Sequence, residues 1–290
     1  MVKNNAKHIR KKVKILIPIT DKEFQLLSEF IQSQYGIQLK KEKQLLLTGR
    51  LHKLVAELGF TTFTEYYDYL INDPTGEARD VLIDKVSTNH TYFMREADHF
   101  DYFRDQVLPY LKEQKQAANS RDIRIWCAAS STGEEPYTLA MIMADFFGNE
   151  ASQWDTRLLA TDISQTVLET AQNGVYDNES IDSLPNSWKQ KYFRSHNSRS
   201  SVIVDAIRKN VIFRRFNLME EVIPFKKKFD VIFCRNVMIY FDQPTKNEIA
   251  NKMYNKLETG GYVFIGLAES FNRETNQFKY IKPAIYRKLD

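Results

Sequence analysis

From residue 20 to about residue 85, apolar side chains recur with a helical period. In DKEFQLLSEFIQSQYG, Phe24, Leu27, Phe30 and Ile31 share one face, and Gly36 ends the run as a C-cap. KEKQLLLTGRLHKLVAELG predicts a second helix closing at Gly59. TTFTEYYDYLIND predicts a third, entered through a threonine cap and stopped before Pro74, and EARDVLIDKVS a fourth. Residues 18–86 are therefore expected to form a small all-helical domain.

After Arg121 the pattern changes. DIRIWCAA, TRLLATDIS, VIFRRFN, FDVIFCRN and GGYVFIGLA are short runs rich in Ile, Val, Phe and Leu, and helical patterns at 135–147, 164–173 and 244–257 alternate with them. That alternation predicts βαβ units and an α/β, doubly wound, mostly parallel sheet within residues 87–290. FKYIKPAIYRKLD reads as one closing strand at the sheet edge. Between residues 176 and 210 lies a polar excursion containing KYFRSHNSRSSVIVDAIRKN, too long for an ordinary αβ loop. It predicts an inserted subdomain at about 177–210, a short helix with a small antiparallel β hairpin outside the main sheet.

Composition narrows the class. A chain of 290 residues with 43% apolar content has enough core for two domains. No apolar run reaches the roughly 18 residues that span a bilayer, and the apolar part of MVKNNAKHIRKKVKILI is too short for a signal peptide, so a soluble, cytoplasmic protein without membrane insertion is expected. Residues 1–17 carry Lys3, Lys7, Arg10, Lys11, Lys12 and Lys14 with no acid and read as a solvated basic N-terminal tail. Cys127 and Cys234, both inside apolar runs, read as buried small hydrophobes of a reducing compartment. The histidines show no ligand spacing, so no metal is expected. A net charge of +4 does not call for nucleic acid, and no interleaved aromatic and basic motif supports it.

Candidate chemistry gathers where strands end. In a parallel sheet, ligands bind outside the carboxyl ends of the strands. WCAASSTGEEPYTLAM places small residues and Gly133 at such an end, with Pro136 suited to the first turn of the following helix. Glu134 and Glu135 would repel a pyrophosphate there. They suit a ligand that is cationic or rich in amino and hydroxyl donors, and S-adenosylmethionine (SAM) has a sulfonium, an amino group and ribose hydroxyls. The glutamates could instead serve the helix dipole. Asp162 ends the second strand, where an acid holds ribose hydroxyls or caps the next helix. STNHTYFMRE interleaves Asn89, Thr91 and Arg95 with Tyr92, Phe93 and Met94. FDVIFCRNVMIYFD ends an apolar strand in Arg235 and Asn236, followed by Tyr240 and Asp242. Polar residues there are poorly placed for packing and well placed for a ligand.

These motifs, with FNLME between the last two, occur in an order that resembles the chemotaxis receptor methyltransferases, over about residues 20 to 288. The resemblance implies a class I SAM-dependent, Rossmann-like methyltransferase that esterifies receptor glutamates and releases S-adenosylhomocysteine. It implies that Asn89, Thr91 and Arg95 reach the cofactor from the segment before the sheet. Glu135 (or its neighbour Glu134) and Asp162 would hold the amino acid and ribose parts, with Gly133 giving close approach. Asn217 and Leu218 would flank the adenine, and Arg235 and Asn236 would contact the cofactor from the fourth strand. Arg95 would order substrate or cofactor, and Tyr240 would lie near the transferred methyl group. The inserted subdomain matches one that docks on receptors. Where members bind a receptor's C-terminal pentapeptide, its hairpin carries a glycine-containing loop, and RSHNSRSSV has none, so such tethering is not expected. Methyl-accepting chemoreceptors with acidic helical methylation regions are the implied partners. On the second predicted helix, Lys43, Arg50 and Lys53 lie within about 80° at 100° per residue, a basic face that can speed encounter with an acidic helix. The rival readings are a SAM-dependent methyltransferase of another substrate, such as RNA, and a SAM-binding signalling module without catalysis.

Overall fold

The computed structural model describes residues 17–272 and 277–289. Apart from Ile17, the basic tail lies outside the described residues. Two compact units are present: one takes in the described residues up to Glu29 with Leu39–Val86, the other Phe30–Gln38 with everything from Ser87 onward.

The first unit is helical, built on α1 (Asp21–Tyr35), α2 (Gln44–Glu57), α3 (Phe63–Asn72) and α4 (Glu77–Val86). Thr62 opens α3 with a reciprocal cap, its hydroxyl accepting from the Glu65 amide while the Glu65 carboxylate accepts from the Thr62 amide. Thr20 and Glu23 make the same pair at the start of α1. Gly36 follows α1 at φ +71°, as a left-handed C-cap requires. The helices bury Leu47, Leu51, Val55, Phe63, Tyr66, Leu70, Leu82 and Ile83. The second predicted helix is shorter than its pattern: Lys41–Lys43 form a 3₁₀ turn, so regular α-helical phase begins only at Gln44.

The second unit begins with a helix that the pattern does not predict. α5 (Ala97–Tyr102) passes through a π turn, Phe103–Val107, into α6 (Leu108–Ala117). Pro109 brings no N–H to the ladder, and the Leu108 amide reaches back five residues to the Phe103 carbonyl. The remaining elements, in chain order, are β1 (Ile125–Ala128), α7 (Glu134–Phe147), β2 (Leu158–Asp162), α8 (Gln165–Asn173), β3 (Val175–Asp177), α9 (Asn186–Tyr192), β4 (Phe193–Ser195), β5 (Ser200–Ile203), α10 (Asp205–Arg208), β6 (Val211–Arg215), β7 (Phe229–Phe233), α11 (Gln243–Lys256), β8 (Leu257–Phe264), β9 (Lys279–Lys282) and β10 (Ile285–Arg287).

The main sheet has the order β6-β2-β1-β7-β8-β10-β9. Its first five strands are parallel, as the strand and helix alternation predicts. Strand order runs from β1 outward to β6 and then reverses, so the switch point lies between β1 and β7. Side chains alternate across it: Ile125 and Cys127 enter one core layer with Phe100, Phe103 and Tyr137, and Trp126 and Ala128 the other with Ile249 and Met253.

Two expectations change in detail. The closing segment is an antiparallel hairpin rather than one strand, because Pro283 and left-handed Ala284 (φ +61°) form a tight turn between β9 and β10. The inserted region contains a three-stranded antiparallel sheet, order β3-β5-β4, which starts at Val175, with α9 and α10 beside it.

Candidate active site

The loop from β1 to α7 is unusual in its backbone. Ala129, Ser131 and Gly133 all have positive φ, at +63°, +49° and +98°. Non-glycine residues enter that region rarely and at a cost, and they stay there only where the surroundings hold them. Here the Ser131 amide donates to Asp162 Oδ2 at 2.8 Å, and the Ser131 hydroxyl to the Asn89 carbonyl at 3.1 Å. The Thr132 hydroxyl donates to Glu134 Oε2 at 2.7 Å, and the Thr132 carbonyl accepts from the Tyr176 hydroxyl at 2.7 Å. Gly133 is required for space as well as for φ: a Cβ there would lie 2.9 Å from both the Ala171 Cβ and the Tyr176 hydroxyl. Asp162 braces this loop rather than capping the next helix. Its other oxygen accepts from the Ser164 amide at 3.0 Å, and Ser164 rather than Asp162 caps α8.

On the other side of the switch point, the Arg235 guanidinium is the hub. It donates to Glu135 Oε2 at 2.6 Å, to Glu96 Oε2 at 3.0 Å and to the Arg95 carbonyl, and it lies 5.1 Å over the Phe100 ring. Glu96 also accepts from the Asn236 side-chain amide at 3.0 Å and the Leu267 amide at 3.2 Å. Glu269 accepts from the amides of Asn236, Gly266 and Ile239. Met94, Glu96 and Asn236 are left-handed as well, each at φ +59°. Backbone strain is thus concentrated around this one place.

Protonation follows from these partners. Burial pushes the Glu96 carboxyl up, but the bonds from Asn236 and Arg235 outweigh it and the net shift is down. Burial also raises Glu135, and Arg235 only partly offsets it. Glu135 is the more deeply buried of the two, and Glu96 collects extra donors. Glu134 is raised by burial, opposed by Thr132. His99, 1% exposed, is held down to about 4, first by burial and then by the charge of Arg235.

Most residues expected at the site fall into two groups. Asn89, Gly133, Glu134 and Asp162 shape the first loop. Arg95, Glu135, Arg235 and Asn236 form the second network. Thr91 is half-buried on the segment between Asn89 and Arg95. Beyond β6, the Asn217 side-chain amide donates to the Gln34 carbonyl at 2.8 Å, its side-chain oxygen accepts from the Met219 amide, and half-buried Leu218 packs on the core. Tyr240 ends a 3₁₀ turn, Met238–Tyr240, half-buried. Of the docking trio, Arg50 donates to the Val86 carbonyl at the end of α4, and Lys53 pairs with Glu57 at 3.5 Å. Glu96, His99, Tyr176 and Glu269 were not singled out from the sequence. Only Glu96 had a signal, as the last residue of STNHTYFMRE.

The donor set suits SAM. Glu96, Glu134, Glu135, Asp162 and Glu269 outnumber Arg95 and Arg235, so the site carries an excess of negative charge. A ligand with a sulfonium, an ammonium and one carboxylate complements it. The Asp162 carboxylate, which accepts from the Ser131 and Ser164 amides, is an acceptor of the kind that ribose hydroxyls need.

Residues 89–286 match the family model described as CheR methyltransferase, SAM binding domain, and residues 22–87 match CheR methyltransferase, all-alpha domain. The chain belongs to the CheR methyltransferase family. It is 42% identical to a chemotaxis protein methyltransferase of Borreliella burgdorferi over 96% of this chain and 98% of the relative. It is 33% identical to the chemotaxis protein methyltransferase of Escherichia coli over 93% of this chain and 92% of the relative. As a CheR-family chain it is a SAM-dependent methyltransferase, and its layout, an all-helical unit followed by a mostly parallel sheet with a small antiparallel one, is that family's. The readings as an RNA methyltransferase or a non-catalytic module are not favoured. Among the described residues no cluster of His, Cys, Asp and Glu is placed to hold a metal ion, and no helix is long and apolar enough to cross a membrane.

Proposed function

We propose that this CheR-family chain methylates glutamate side chains on the cytoplasmic helices of methyl-accepting chemoreceptors, forming methyl esters. Bound at the acidic site, SAM supplies a methyl group activated by its sulfonium. A receptor carboxylate oxygen forms a bond to the methyl carbon as the carbon–sulfur bond breaks, and the electron pair stays on sulfur.

Arg95 carries the reading. Its guanidinium gives one N–H to the His90 carbonyl at 2.6 Å and lies over the Tyr92 ring, and its remaining N–H groups have no partner among the described residues. Arg235, by contrast, is buried between two carboxylates. Arg95 is therefore the cation able to receive an incoming carboxylate and orient it. Glutamate has an ordinary pKa of about 4.3 and arrives ionised, so no general base is required. That agrees with the chemistry around the site, where Glu96 and Glu135 are engaged by Arg235 and His99 is buried and neutral. Tyr240 would line the methyl position, packing rather than titrating.

Substrate selection falls to the helical unit, where Lys43 and Lys53 are exposed. Receptor capture by a C-terminal pentapeptide is not part of this proposal. The turn between β4 and β5 is built on the Asn197 side chain, which accepts from the Arg199 and Ser200 amides, and contains no glycine.

Incubation with methyl-labelled SAM and receptor cytoplasmic fragments tests the proposal. Label should appear on the fragments and be released by mild alkali as methanol, the signature of a carboxylate ester. Label found on RNA, or SAM binding with no transfer to receptor, would refute it.

A further inference from the structure

The first loop is held by three separate parts of the sheet unit: Asp162 at the end of β2, Asn89 before α5, and Tyr176 on β3. The third belongs to the small antiparallel sheet. Its hydroxyl donates to the carbonyl of Thr132, the residue between left-handed Ser131 and left-handed Gly133. The ring is fixed in turn. Phe93, from the segment that carries Asn89 and Arg95, packs edge-on to Tyr176 at 4.9 Å and to Phe193 of β4 at 5.7 Å. Gly133 leaves the space that the Tyr176 hydroxyl fills. The small sheet thus reaches the loop that precedes Glu134 and Glu135.

We propose that Tyr176 is a positioning residue for the SAM loop, and that through it the small antiparallel sheet acts as a strut on which cofactor affinity depends. The inference rests on the reading of the 129–135 loop as part of the SAM site. Three left-handed residues in five do not hold that shape unaided, and a hydroxyl on the Thr132 carbonyl fixes the peptide plane between two of them. Without it the loop has more states to lose when the cofactor binds, and affinity falls by the fraction of time spent outside the binding-competent one. No proton or group moves in this role.

The test uses the full chain and S-adenosylhomocysteine titrated by calorimetry. Tyr176→Phe keeps the ring against Phe93 and removes only the hydroxyl. Tyr192→Phe is the control, because it also removes a hydroxyl bonded from the inserted region to α7, at Asp145, away from the loop. The expected result is binding weakened about five- to tenfold by Tyr176→Phe and within twofold of the parent for Tyr192→Phe. In turnover assays Tyr176→Phe should raise KM for SAM while kcat and KM for the receptor fragment stay put. Without any cofactor, hydrogen exchange at the amides of Ser131 and Gly133 should speed up in Tyr176→Phe alone. Equal loss in both variants, or parent-like affinity in Tyr176→Phe, would overturn the strut. Failure of the parent chain itself to bind S-adenosylhomocysteine would overturn the site assignment, and the proposal with it.

Discussion

Arg235 and Glu135 meet at 2.6 Å across the switch point, tying the end of β7 to the first turn of α7 with a guanidinium whose side chain is 2% exposed. The same guanidinium reaches Glu96 at 3.0 Å, so three segments converge on one buried cation. A buried charge with two anionic partners is stable only as a set.

Arg235→Leu should therefore cost about 3–5 kcal/mol, since it leaves Glu96 and Glu135 as buried carboxylates with no cation. Pairing it with Glu135→Gln should restore part of the loss. Urea unfolding measures both, and a midpoint unmoved by Arg235→Leu would contradict the hub.

Asp162→Ala removes an acceptor from the Ser131 and Ser164 amides and, in the proposed site, from the ribose. Bonds to a charged acceptor contribute about 1.5–3 kcal/mol each, so S-adenosylhomocysteine should bind roughly 10- to 100-fold more weakly. Calorimetry showing parent-like affinity would refute the assignment.

His99 makes stability depend on pH. Its folded-state pKa is depressed from 6.5 to about 4, so the unfolded chain binds the extra proton first as pH falls. The contribution is complete above pH 6.5 and is lost as pH drops toward 4, by up to about 3 kcal/mol. Burial and Arg235 favour the neutral ring, and Lys282 adds to them, while Glu96 and Asp98 oppose. In His99→Leu the unfolding free energy should fall less between pH 6.5 and 4 than in the parent. An identical slope would show that another group is responsible.

The basic face separates into two kinds of residue. Lys43→Glu with Lys53→Glu should slow receptor methylation at low salt and leave S-adenosylhomocysteine binding intact, because exposed charges act on encounter. Adding Arg50→Glu should also destabilise the helical unit by about 1–3 kcal/mol, since the Arg50 guanidinium donates to the Val86 carbonyl. Unchanged methylation rates in the double variant would remove these lysines from docking.

Much of the architecture was legible in local pattern. The helices of the first unit, the parallel strands and the glycine at the first strand end follow from periods of 3.6 and 2 and from caps, which neighbouring residues decide. Asp162 stood out as the acid that ends the second strand, and Arg235 because a polar side chain at the tip of an apolar strand is poorly placed for packing. What was not legible depends on distant partners. The Ala97–Ala117 helix carries a proline that breaks the helical pattern, and only packing of Phe100, Phe103 and Val107 on the sheet keeps it continuous through a π turn. Tyr176 and Glu269 carry no local signal of their roles, and Glu96 only its place at the end of STNHTYFMRE.

The sequence alone determined the helices of the first unit, the parallel strands with the helices between them, and that small and acidic residues would stand at the strand ends, because hydrophobic burial writes a short-range period into the chain. Only the tertiary structure decided which of those charges meet. Glu135 and Arg235 are 100 residues apart, and Glu96 and Arg235 are 139 apart. Strand order and register bring them within bonding distance, and no local preference encodes that. The same holds for the strained loop: its left-handed residues persist because the Asp162 carboxylate, the Asn89 carbonyl and the Tyr176 hydroxyl converge on it from three parts of the fold.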